Sequence, residues 1–384
     1  MRRTIPGGAG RAEVAIWARR LDTETERLLQ RLAKQPWVAG RVASMADAHL
    51  AEGVAVGTVF ATEREVVPAA LGGDLGCGIS ARAFRVERPL ERPLLEAVHR
   101  RLSLAIPVGE ARHQGGGPEV PEGLLAGSLS THALERTRAH LLPKHLGTLG
   151  GGNHFLELDR DQGGRVWALI HSGSRGLGQA VYMHHRRVAE VEGRGRPPAL
   201  SLERPSGQAY LSDLRWAQAV AEENRRQMMA VVEEVLAELL GAAAEPEEEI
   251  DAVHNFLAEE ERDGRTLWVH RKGATRAGLG QRTLIPGSMG TATYVVEGLG
   301  SALSFGSCSH GAGRRLSRTE ARRQLDRGAF TKAMREIVGG ADPSLIEEAP
   351  AAYRDIREVL EDQADLVRPL LRLSPILVLK GGHP

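Results

Sequence analysis

Glycine clusters are the sequence feature that most constrains this chain, because each lies beside a short apolar run of strand length. The clearest is Leu146–Leu158, LGTLGGGNHFLEL, in which three consecutive glycines precede Asn153, His154 and Glu157. Glycine adopts positive φ readily and lets the backbone approach another group closely, so such a loop suits a phosphate or metal site as well as a tight turn. Taken alone, the segment leaves a functional loop and a simple bulge or hairpin both open.

The residues after these glycines have two faces. In a strand that begins at Asn153, the side chains of Asn153, Phe155 and Glu157 lie on one face, and those of His154 and Leu156 lie on the other. We therefore expect this segment to serve two neighbouring sites.

Length and composition indicate a large globular protein. The chain has 384 residues, 42% of them apolar, and a net charge of +1, so its bulk charge favours neither a nucleic-acid partner nor an acidic ligand. It lacks an apolar run of about 18 residues for a membrane span and the shorter run of a secretory signal, and we expect a cytoplasmic protein with no membrane partner.

Cys77 and Cys308 are too few for a disulfide scaffold and indicate reduced thiols.

Hydrophobic periodicity predicts helices and strands that alternate along the chain. A long helix is expected over Ser212–Leu240, with Ser212 as its N-cap and Gly241 as its stop. The segment Pro343–Leu371 reads as mainly helical and is followed by a strand over Pro375–Leu379.

Five metal-competent side chains stand near the glycine loops, spread over four segments: Asp74, Cys77, His154, His171 and His254. One carboxylate, one thiolate and three imidazoles can hold two divalent ions if the thiolate bridges them. Mixed sulfur, nitrogen and oxygen ligands suit Mn, Fe, Co or Zn and exclude a dedicated calcium site. A structural zinc site normally draws on close pairs such as CxxC, which are absent, so the dispersed set favours catalysis. A buried structural cysteine and core histidines are the alternative.

Three further residues could act on an anion. Arg175 lies in Ser172–Gly178, where hydroxyls and glycine amides make a plausible anion cradle. His310 stands among small residues that leave its ring open, as a base or nucleophile requires. Lys380 follows the last predicted strand, where a solvent-facing lysine is the usual case.

The chain carries a series of motifs whose order is itself informative. They are DLGCG at Asp74–Gly78, HLGTLGGGNHFLE at His145–Glu157, HSGSRGLG at His171–Gly178, HNF at His254–Phe256, RKGATRA at Arg271–Ala277, IPGSMG at Ile285–Gly290, SCSHGAGR at Ser307–Arg314 and the closing LKGG. Together, and in this order, they closely resemble the motifs of the RtcB family of RNA-splicing ligases. The resemblance runs from about Trp17 to Gly381.

The resemblance implies a GTP-dependent ligase that joins an RNA 3′-phosphate or 2′,3′-cyclic phosphate end to a 5′-hydroxyl end, in tRNA splicing or RNA repair. It implies two Mn(II) ions, and it makes an archease-like activating protein a candidate partner. His310 matches the histidine that takes GMP from GTP and passes it to the RNA 3′-phosphate. Asp47, within the family's PDxH pattern, is a candidate for catalytic support, and Asn153 is a further catalytic candidate.

The same match assigns the metal ligands and the guanylate site. Asp74, Cys77 and His154 match the ligands of one manganese ion, and Cys77, His171 and His254 match those of the other. The residues implied to line the guanylate site are Asn153, His154, Phe155, Leu156, Glu157, His254, Asn255, Pro286, Gly287, Ser288, Met289, Thr293, His310, Gly311, Ala312, Gly313, Tyr353 and Lys380. Within that set, the Glu157 carboxylate is a chemically sensible reader of the guanine N1–H and N2–H donors.

Other residues are expected to contact RNA, and two segments depart from the family pattern. The candidate grips for RNA phosphates are Arg175, Arg271, Arg276, Arg314 and Arg318. The family's MPDVHLGKG reads MADAHLAEG from Met45 to Gly53, which puts the geometry around Asp47 and His49 in question. Thr293 replaces the usual serine and keeps its hydroxyl.

The resemblance also implies the fold: one large α+β domain over residues 1–384, with mixed β-sheets lining a central metal-containing cleft and a loose lead-in at residues 1–11. Periodicity alone does not give this topology. Two other function classes remain open from the residues. A two-metal phosphoesterase acting on nucleic-acid ends would use the same metal ligands without needing His310 or Lys380, and a non-catalytic RNA-binding module would need only the basic loops.

Overall fold

Strands and helices alternate along the chain, as the periodicity predicts. The computed structural model describes residues 1–8, 11–115 and 117–381. Its strands are β1 (Arg3–Ile5), β2 (Glu13–Ile16), β3 (Ala39–His49), β4 (Val56–Thr62), β5 (Glu65–Val66), β6 (Gly78–Arg85), β7 (Phe155–Arg160), β8 (Val166–Ser172), β9 (Leu200–Ser201), β10 (Ala243–Val253), β11 (Asn255–Arg262), β12 (Arg265–Lys272), β13 (Ala274–Arg276), β14 (Arg282–Ile285), β15 (Thr293–Gly298), β16 (Ser307–Ser309) and β17 (Val367–Leu379).

The helices lie between these strands and around the sheets. The α-helices are α1 (Thr23–Ala33), α2 (Arg92–Ala105), α3 (Glu122–Leu125), α4 (His132–His145), α5 (Arg175–Glu192), α6 (Pro205–Leu240), α7 (Arg318–Gln324), α8 (Arg327–Ala333) and α9 (Ile356–Asp362). Short 3-10 helices occur at Pro68–Ala70, Ala302–Ser304, Pro343–Glu348 and Pro350–Ala352. Among the described residues, no helix is both long and apolar enough to cross a membrane.

Two sheets carry most of the strands. The first has the order β1-β2-β3-β4-β12-β11 and is mixed, because β2 and β3 run parallel while their neighbours pair antiparallel. The second has the order β10-β6-β8-β7-β17-β15-β14, and all its neighbours are antiparallel. A small ribbon of β13 and β16 completes the central region. The predicted α+β class with mixed sheets is confirmed.

The register of the second sheet gathers several strand ends at one edge. In neighbouring antiparallel strands, the start of one lies beside the end of the next. Gly78 at the start of β6 pairs with Ser172 at the end of β8 and with Val253 at the end of β10. Leu156, near the start of β7, pairs with Leu379 at the end of β17. Residues that follow or precede these ends therefore meet in space.

The two faces of the second sheet differ in their covering. One face packs against helices α2 and α6, and strand β7 contributes Leu156 and Leu158 to this apolar core together with Met228 of α6. On the other face of β7 lie Phe155, Glu157 and Asp159. The alternation expected from Asn153 onward is therefore present in β7.

Two expectations about secondary structure are wrong at their boundaries. Helix α6 begins at Pro205, not at Ser212, because its first turns pack Tyr210 and Leu211 into a separate apolar cluster. Its end at Gly241 is as predicted, with φ 62°. The segment Pro343–Leu371 contains short 3-10 helices and α9, but its last residues join β17, since pairing with β15 overrides their helical pattern.

The expected loose lead-in at residues 1–11 is ordered in part. Arg3–Ile5 pair antiparallel with β2, and the N-terminal ammonium forms an ion pair with Asp365, 2.6 Å away. The β-branched residues Thr4 and Ile5 suit an edge strand. Residues 9 and 10 lie outside the described residues.

Asp159 is an ionisable residue in an apolar setting. Its side chain is fully buried, and neither carboxylate oxygen has a hydrogen-bond partner among the described residues. Burial raises the pKa of Asp159 to about 8. Its neighbour Glu157 is also buried, and its pKa is raised well above the usual value by burial and then by the charge of Asp159. The face of β7 that carries both acids thus favours their protonated forms.

We expect Asp159→Asn to leave stability unchanged near pH 4 and to increase it progressively up to about pH 8. The unfolded chain ionises Asp159 above its ordinary pKa of 3.8, while the folded chain keeps the proton until about pH 8. Stability of the wild type therefore falls through that window, and the isosteric amide removes the loss. Each pH unit between the two pKa values costs the wild type about 1.4 kcal/mol, so the gain should reach several kcal/mol near pH 8. Urea unfolding of both proteins across this range measures it, and a gain independent of pH would contradict the assignment.

Candidate active site

The five predicted metal-competent residues converge in the cleft. His154 Nε2 lies 2.8 Å from Asp74 Oδ2 and 3.5 Å from Cys77 Sγ. His171 Nε2 lies 3.2 Å from Cys77 Sγ and 3.2 Å from His254 Nε2. The cysteine sulfur thus stands between one pair of ligand atoms and the other. Within this cluster, Cys77, His154 and His171 form a group that could hold a metal ion.

The sheet register explains this convergence. Cys77 precedes β6, His154 precedes β7, His171 lies near the end of β8 and His254 follows β10. These strands are consecutive neighbours in the second sheet, so the four residues share one edge. Dispersed positions in the sequence therefore form one cluster without a long loop.

Two positions at this edge of the sheet require glycine, because neighbouring atoms leave no room for a side chain. A Cβ at position 173 would lie 2.1 Å from Asp74 Oδ1, and one at position 78 would lie 2.9 Å from the Cα of Val253. Neither contact leaves room for a larger residue. The glycines of DLGCG and HSGSRGLG thus let backbones and the Asp74 carboxylate approach closely.

The protonation preferences of the cluster fit a divalent cation. Burial lowers the pKa values of His171 and His254 well below the usual value, so both imidazoles are neutral and have a free lone pair. Burial raises the pKa of Asp74, but the charge and hydrogen bond of His154, the charge of Arg175 and a hydrogen bond from Cys77 together outweigh it and bring the value to about 2. Burial and then Asp74 raise the pKa of the Cys77 thiol. A bound metal would supply the positive charge that a thiolate needs here.

His154 is held in an orientation that suits a ligand. Its Nδ1 lies 3.0 Å from the carbonyl oxygen of Leu149, so the ring can donate its Nδ1 proton there and keep Nε2 for the cluster. The guanidinium of Arg175 lies 3.1 Å from the same Nδ1. We assign the proton to the Leu149 contact, because that tautomer frees Nε2 toward Asp74 and Cys77.

A cavity of about 280 Å³ opens beside the cluster. Its lining residues are His49, Asn153, Phe155, Glu157, His171, Pro286, Gly287, Ser288, Met289, His310, Gly311, Ala312, Gly313, Arg314, Arg318, Glu348, Tyr353 and Lys380. Most residues that the resemblance assigns to the guanylate site therefore line one space. The cavity meets the metal-competent cluster at His171.

Some predicted guanylate contacts lie outside this lining: His154, Leu156, His254, Asn255 and Thr293. The Leu156 side chain is buried in the core beneath the sheet, so only its main chain could face a ligand. Asn255 instead braces the loop before Cys77, because its amide donates to Asp74 O at 3.3 Å and its Oδ1 accepts from Gly273 N–H at 2.9 Å. Thr293 is buried at the start of β15.

His310 projects into the cavity from the segment after β16 and contacts a buried carboxylate. Its Nδ1 lies 2.7 Å from Oδ2 of Asp47, whose side chain has no exposed surface. Burial is the largest single influence and raises the pKa of Asp47, but the charge and hydrogen bond of His310 and the charges of His49 and Arg354 together outweigh it, so the net shift is downward. An ionised Asp47 holds the proton of His310 on Nδ1 and leaves Nε2 as the free nitrogen. The His254 and His310 ring centroids are 4.8 Å apart, which places this imidazole beside the metal-competent cluster.

The altered MADAHLAEG segment keeps Asp47 in place. Asp47 lies in strand β3, and Arg354 donates to the carbonyl oxygens of Ala46 and Ala48 at 2.6 and 2.7 Å. The backbone of Gly313, at φ 71°, passes so close that a Cβ there would lie 2.6 Å from Asp47 O. These contacts hold the backbone on both sides of Asp47.

Lys380 is buried rather than solvent-facing. It follows the end of β17, its side chain is 3% exposed, and its Nζ lies 3.5 Å from Glu348. Nζ also donates to the carbonyl oxygen of His154 at 2.9 Å. The usual interpretation of a lysine at a strand end is therefore wrong here, and Lys380 connects the metal-competent cluster to the cavity.

Glu348 is the cavity residue that sequence reasoning missed. Its side chain is 4% exposed, and it accepts hydrogen bonds from Arg314 at 2.9 Å, from Arg318 at 3.1 Å and from the Tyr353 hydroxyl. Burial raises its pKa, but Lys380 and the other donors lower it overall. The available signal was a pair of acids inside the otherwise apolar run from Leu345 to Ala349.

The predicted RNA-contacting arginines divide into different environments. Arg271 is buried, with its guanidinium 2.7 Å from Glu260, so its prediction as a phosphate grip is wrong. Arg314 and Arg318 bind Glu348 in the cavity wall. Arg276 is 47% exposed and stays a candidate.

Comparisons with known proteins show the family of this chain. A family model described as tRNA-splicing ligase RtcB matches residues 28–381. The RNA-splicing ligase RtcB of Escherichia coli K12 is 34% identical over 402 residues, covering 96% of this chain and 98% of that protein. The RNA-splicing ligase RtcB of Mycobacterium tuberculosis H37Rv is 32% identical, covering 91% of this chain and 99% of that protein. The chain therefore belongs to the RtcB family of RNA-splicing ligases and is an RNA ligase.

Proposed function

We propose that this protein joins RNA 3′-phosphate or 2′,3′-cyclic phosphate ends to 5′-hydroxyl ends, using GTP and two Mn(II) ions, through a guanylylated histidine. The observation that supports this most directly is the position of His310. Its ring lies in the cavity wall, with Nδ1 2.7 Å from the buried carboxylate of Asp47. The alternative, a two-metal phosphoesterase, needs the metal ligands but does not need His310 in this position.

His310 acts as a nucleophile in the first step. Nε2 attacks the α-phosphorus of GTP, a nitrogen–phosphorus bond forms, and pyrophosphate leaves. Asp47 keeps the remaining ring proton on Nδ1 and balances the positive charge that develops on the imidazole. Because Asp47 is fully buried, this charge balance acts in a medium of low polarity, where it is strongest.

The metal ions would be held by Asp74, Cys77 and His154 on one side and by Cys77, His171 and His254 on the other. They would supply charge neutralisation at the reacting phosphate oxygens. The side chain of Lys380 adds a fixed positive charge at the boundary between this cluster and the cavity.

The RNA ends react in the later steps. Water first opens a 2′,3′-cyclic phosphate to the 3′-phosphate. An oxygen of that phosphate attacks the phosphorus of the guanylylated His310, which releases the imidazole and forms RNA-3′-pp-5′-G. The 5′-hydroxyl oxygen then attacks the RNA 3′-phosphorus, and GMP leaves with the electron pair. Asn153, in the cavity wall, is a candidate amide donor to the transferring phosphate.

Glu157 is proposed to read the base. It lies on the same face of β7 as Phe155, and both line the cavity. Guanine offers N1–H and N2–H donors, which would favour the ionised form of this otherwise protonated acid. Adenine does not present this pair of donors.

Substitution of the nucleophile tests the reaction class. Wild-type protein incubated with Mn(II) and GTP labelled on the α-phosphate should retain acid-labile label after denaturation, and His310→Ala should retain none. Asp47→Asn should reduce the labelling rate by roughly 10²-fold or more, because it removes the charge that orients the ring. His140→Ala, at an exposed position on α4, is the matched control and should label normally. Wild-type protein that hydrolyses phosphoesters but takes no label would overturn the ligase mechanism.

Substitution of Glu157 tests base recognition separately. Wild-type protein should label faster with GTP than with ITP, which lacks the N2 amine, and faster still than with ATP. Glu157→Gln should reduce the GTP preference by roughly 10- to 100-fold, since one buried acceptor becomes a donor. The ratio of kcat/KM values for labelling by the three nucleotides measures the effect. An unchanged GTP-to-ITP ratio would exclude Glu157 as the base reader.

A further inference from the structure

Helix α6 carries two adjacent polar residues that face the sheet and have no role in the steps above. Asn224 is 0% exposed and Arg225 is 1% exposed. Their neighbours on the same helical face, Met228, Met229 and Val232, are apolar core residues. A buried guanidinium in such a setting is costly unless all its donors are satisfied.

The Arg225 guanidinium ties together three segments of the second sheet. Nη1 donates to the carbonyl oxygens of Gly76 and Ser172 at 2.9 and 3.2 Å. Nε and Nη2 donate to the two carboxylate oxygens of Asp251, both at 3.1 Å, and Nε also donates to the Ser80 hydroxyl at 3.0 Å. One planar fork therefore fixes strands β6, β8 and β10 relative to one another.

Each of these segments carries one metal-competent residue. Gly76 precedes Cys77, Ser172 follows His171, and Asp251 lies three residues before His254. These ligands are the ones proposed for one of the two metal ions. The guanidinium acts on their main chains, so it sets their spacing without contacting their ligand atoms.

Asn224 makes a corresponding set of contacts with the segment that precedes His154. Its Oδ1 accepts from Thr148 N–H at 3.1 Å, and its Nδ2 donates to Thr148 O at 3.1 Å and to Gly173 O at 3.2 Å. Nδ2 also lies 3.1 Å from the Ser172 hydroxyl, which donates to Leu149 O at 2.9 Å. That carbonyl is the one that orients His154.

We propose that Asn224 and Arg225 are positioning residues for a two-ion metal centre, with Arg225 spacing Cys77, His171 and His254 and Asn224 fixing the segment of His154. This inference rests on the proposed Mn(II) dependence. One helix thus sets the geometry of both halves of the cluster, and rigid support of this kind tunes metal affinity by roughly 10- to 100-fold in other metal sites. Lysine at position 225 keeps the charge but cannot reach two carbonyls and a carboxylate at once.

Direct Mn(II) titration tests the inference. The electron paramagnetic resonance signal of free Mn(II) gives the affinity and number of bound ions, and spin coupling between bound ions reports that both sites are filled together. Arg225→Lys should weaken one site by roughly 10- to 100-fold and abolish the coupled signal at Mn(II) concentrations that saturate the wild type. Asn224→Ser should weaken one site by a smaller factor. The matched control is Arg226→Lys, because Arg226 is 64% exposed and pairs with Glu223 on the surface.

The outcomes separate this inference from the proposed function. Wild-type protein that binds no Mn(II) would overturn the proposed metal dependence. Wild-type protein that binds two ions, with both sites retained within about threefold in Arg225→Lys and Asn224→Ser, would overturn the positioning role alone. Thermal unfolding of the metal-free variants identifies any that fail to fold. Asp251→Asn then replaces the failed variant, since Asp251 is 42% exposed and its loss releases the guanidinium without emptying the core.

Discussion

The antiparallel register of the second sheet is the constraint on which the remainder of the site depends. Strands β10, β6, β8, β7 and β17 are consecutive neighbours, and their alternating directions bring His254, Cys77, His171, His154 and Lys380 to one edge. A shift of one residue in any pairing would turn a ligand to the opposite face. The apolar core formed by α2 and α6 beneath the sheet specifies that register. Core packing therefore also determines the geometry of the ligands.

Buried charge at this edge is tolerated because it is paired. Arg225 is satisfied by carbonyls and Asp251, and Glu348 is satisfied by two arginines and a tyrosine. Asp159 is the contrast, since its buried oxygens have no partner among the described residues. Removing one member of a paired set leaves an uncompensated charge, whereas removing the proton of Asp159 creates one. This difference is the reason we expect pH to act on stability through Asp159.

Much of the site, but not its supports, could be predicted from the sequence. Residue types beside the glycine loops predicted the metal-competent residues, and alternation after Asn153 predicted the two faces of β7. Asn224 and Arg225 were not predicted, because two adjacent polar residues in a helix are typical of its solvent-exposed face. Only the tertiary fold shows that they face the sheet. The prediction for Arg271 was wrong for the same reason. Its basic segment has the composition of an exposed loop, but its side chain is buried against Glu260. The polarity of residues along the sequence does not show whether their side chains are buried in the folded protein.

The proposed nucleophile and the proposed metal ligands come from different parts of the fold. The distance between them is therefore set by how those parts pack together. His310 follows β16 of the small ribbon and is oriented by Asp47 of the first sheet, whereas the cluster belongs to the second. The ribbon packs Cys308 against Ala43 and Val59 of the first sheet in one apolar core. Gly273 completes the junction, because a Cβ there would lie 3.2 Å from the His310 ring. Because close-packed interiors transmit strain, substitutions in this core would alter catalysis without touching a ligand.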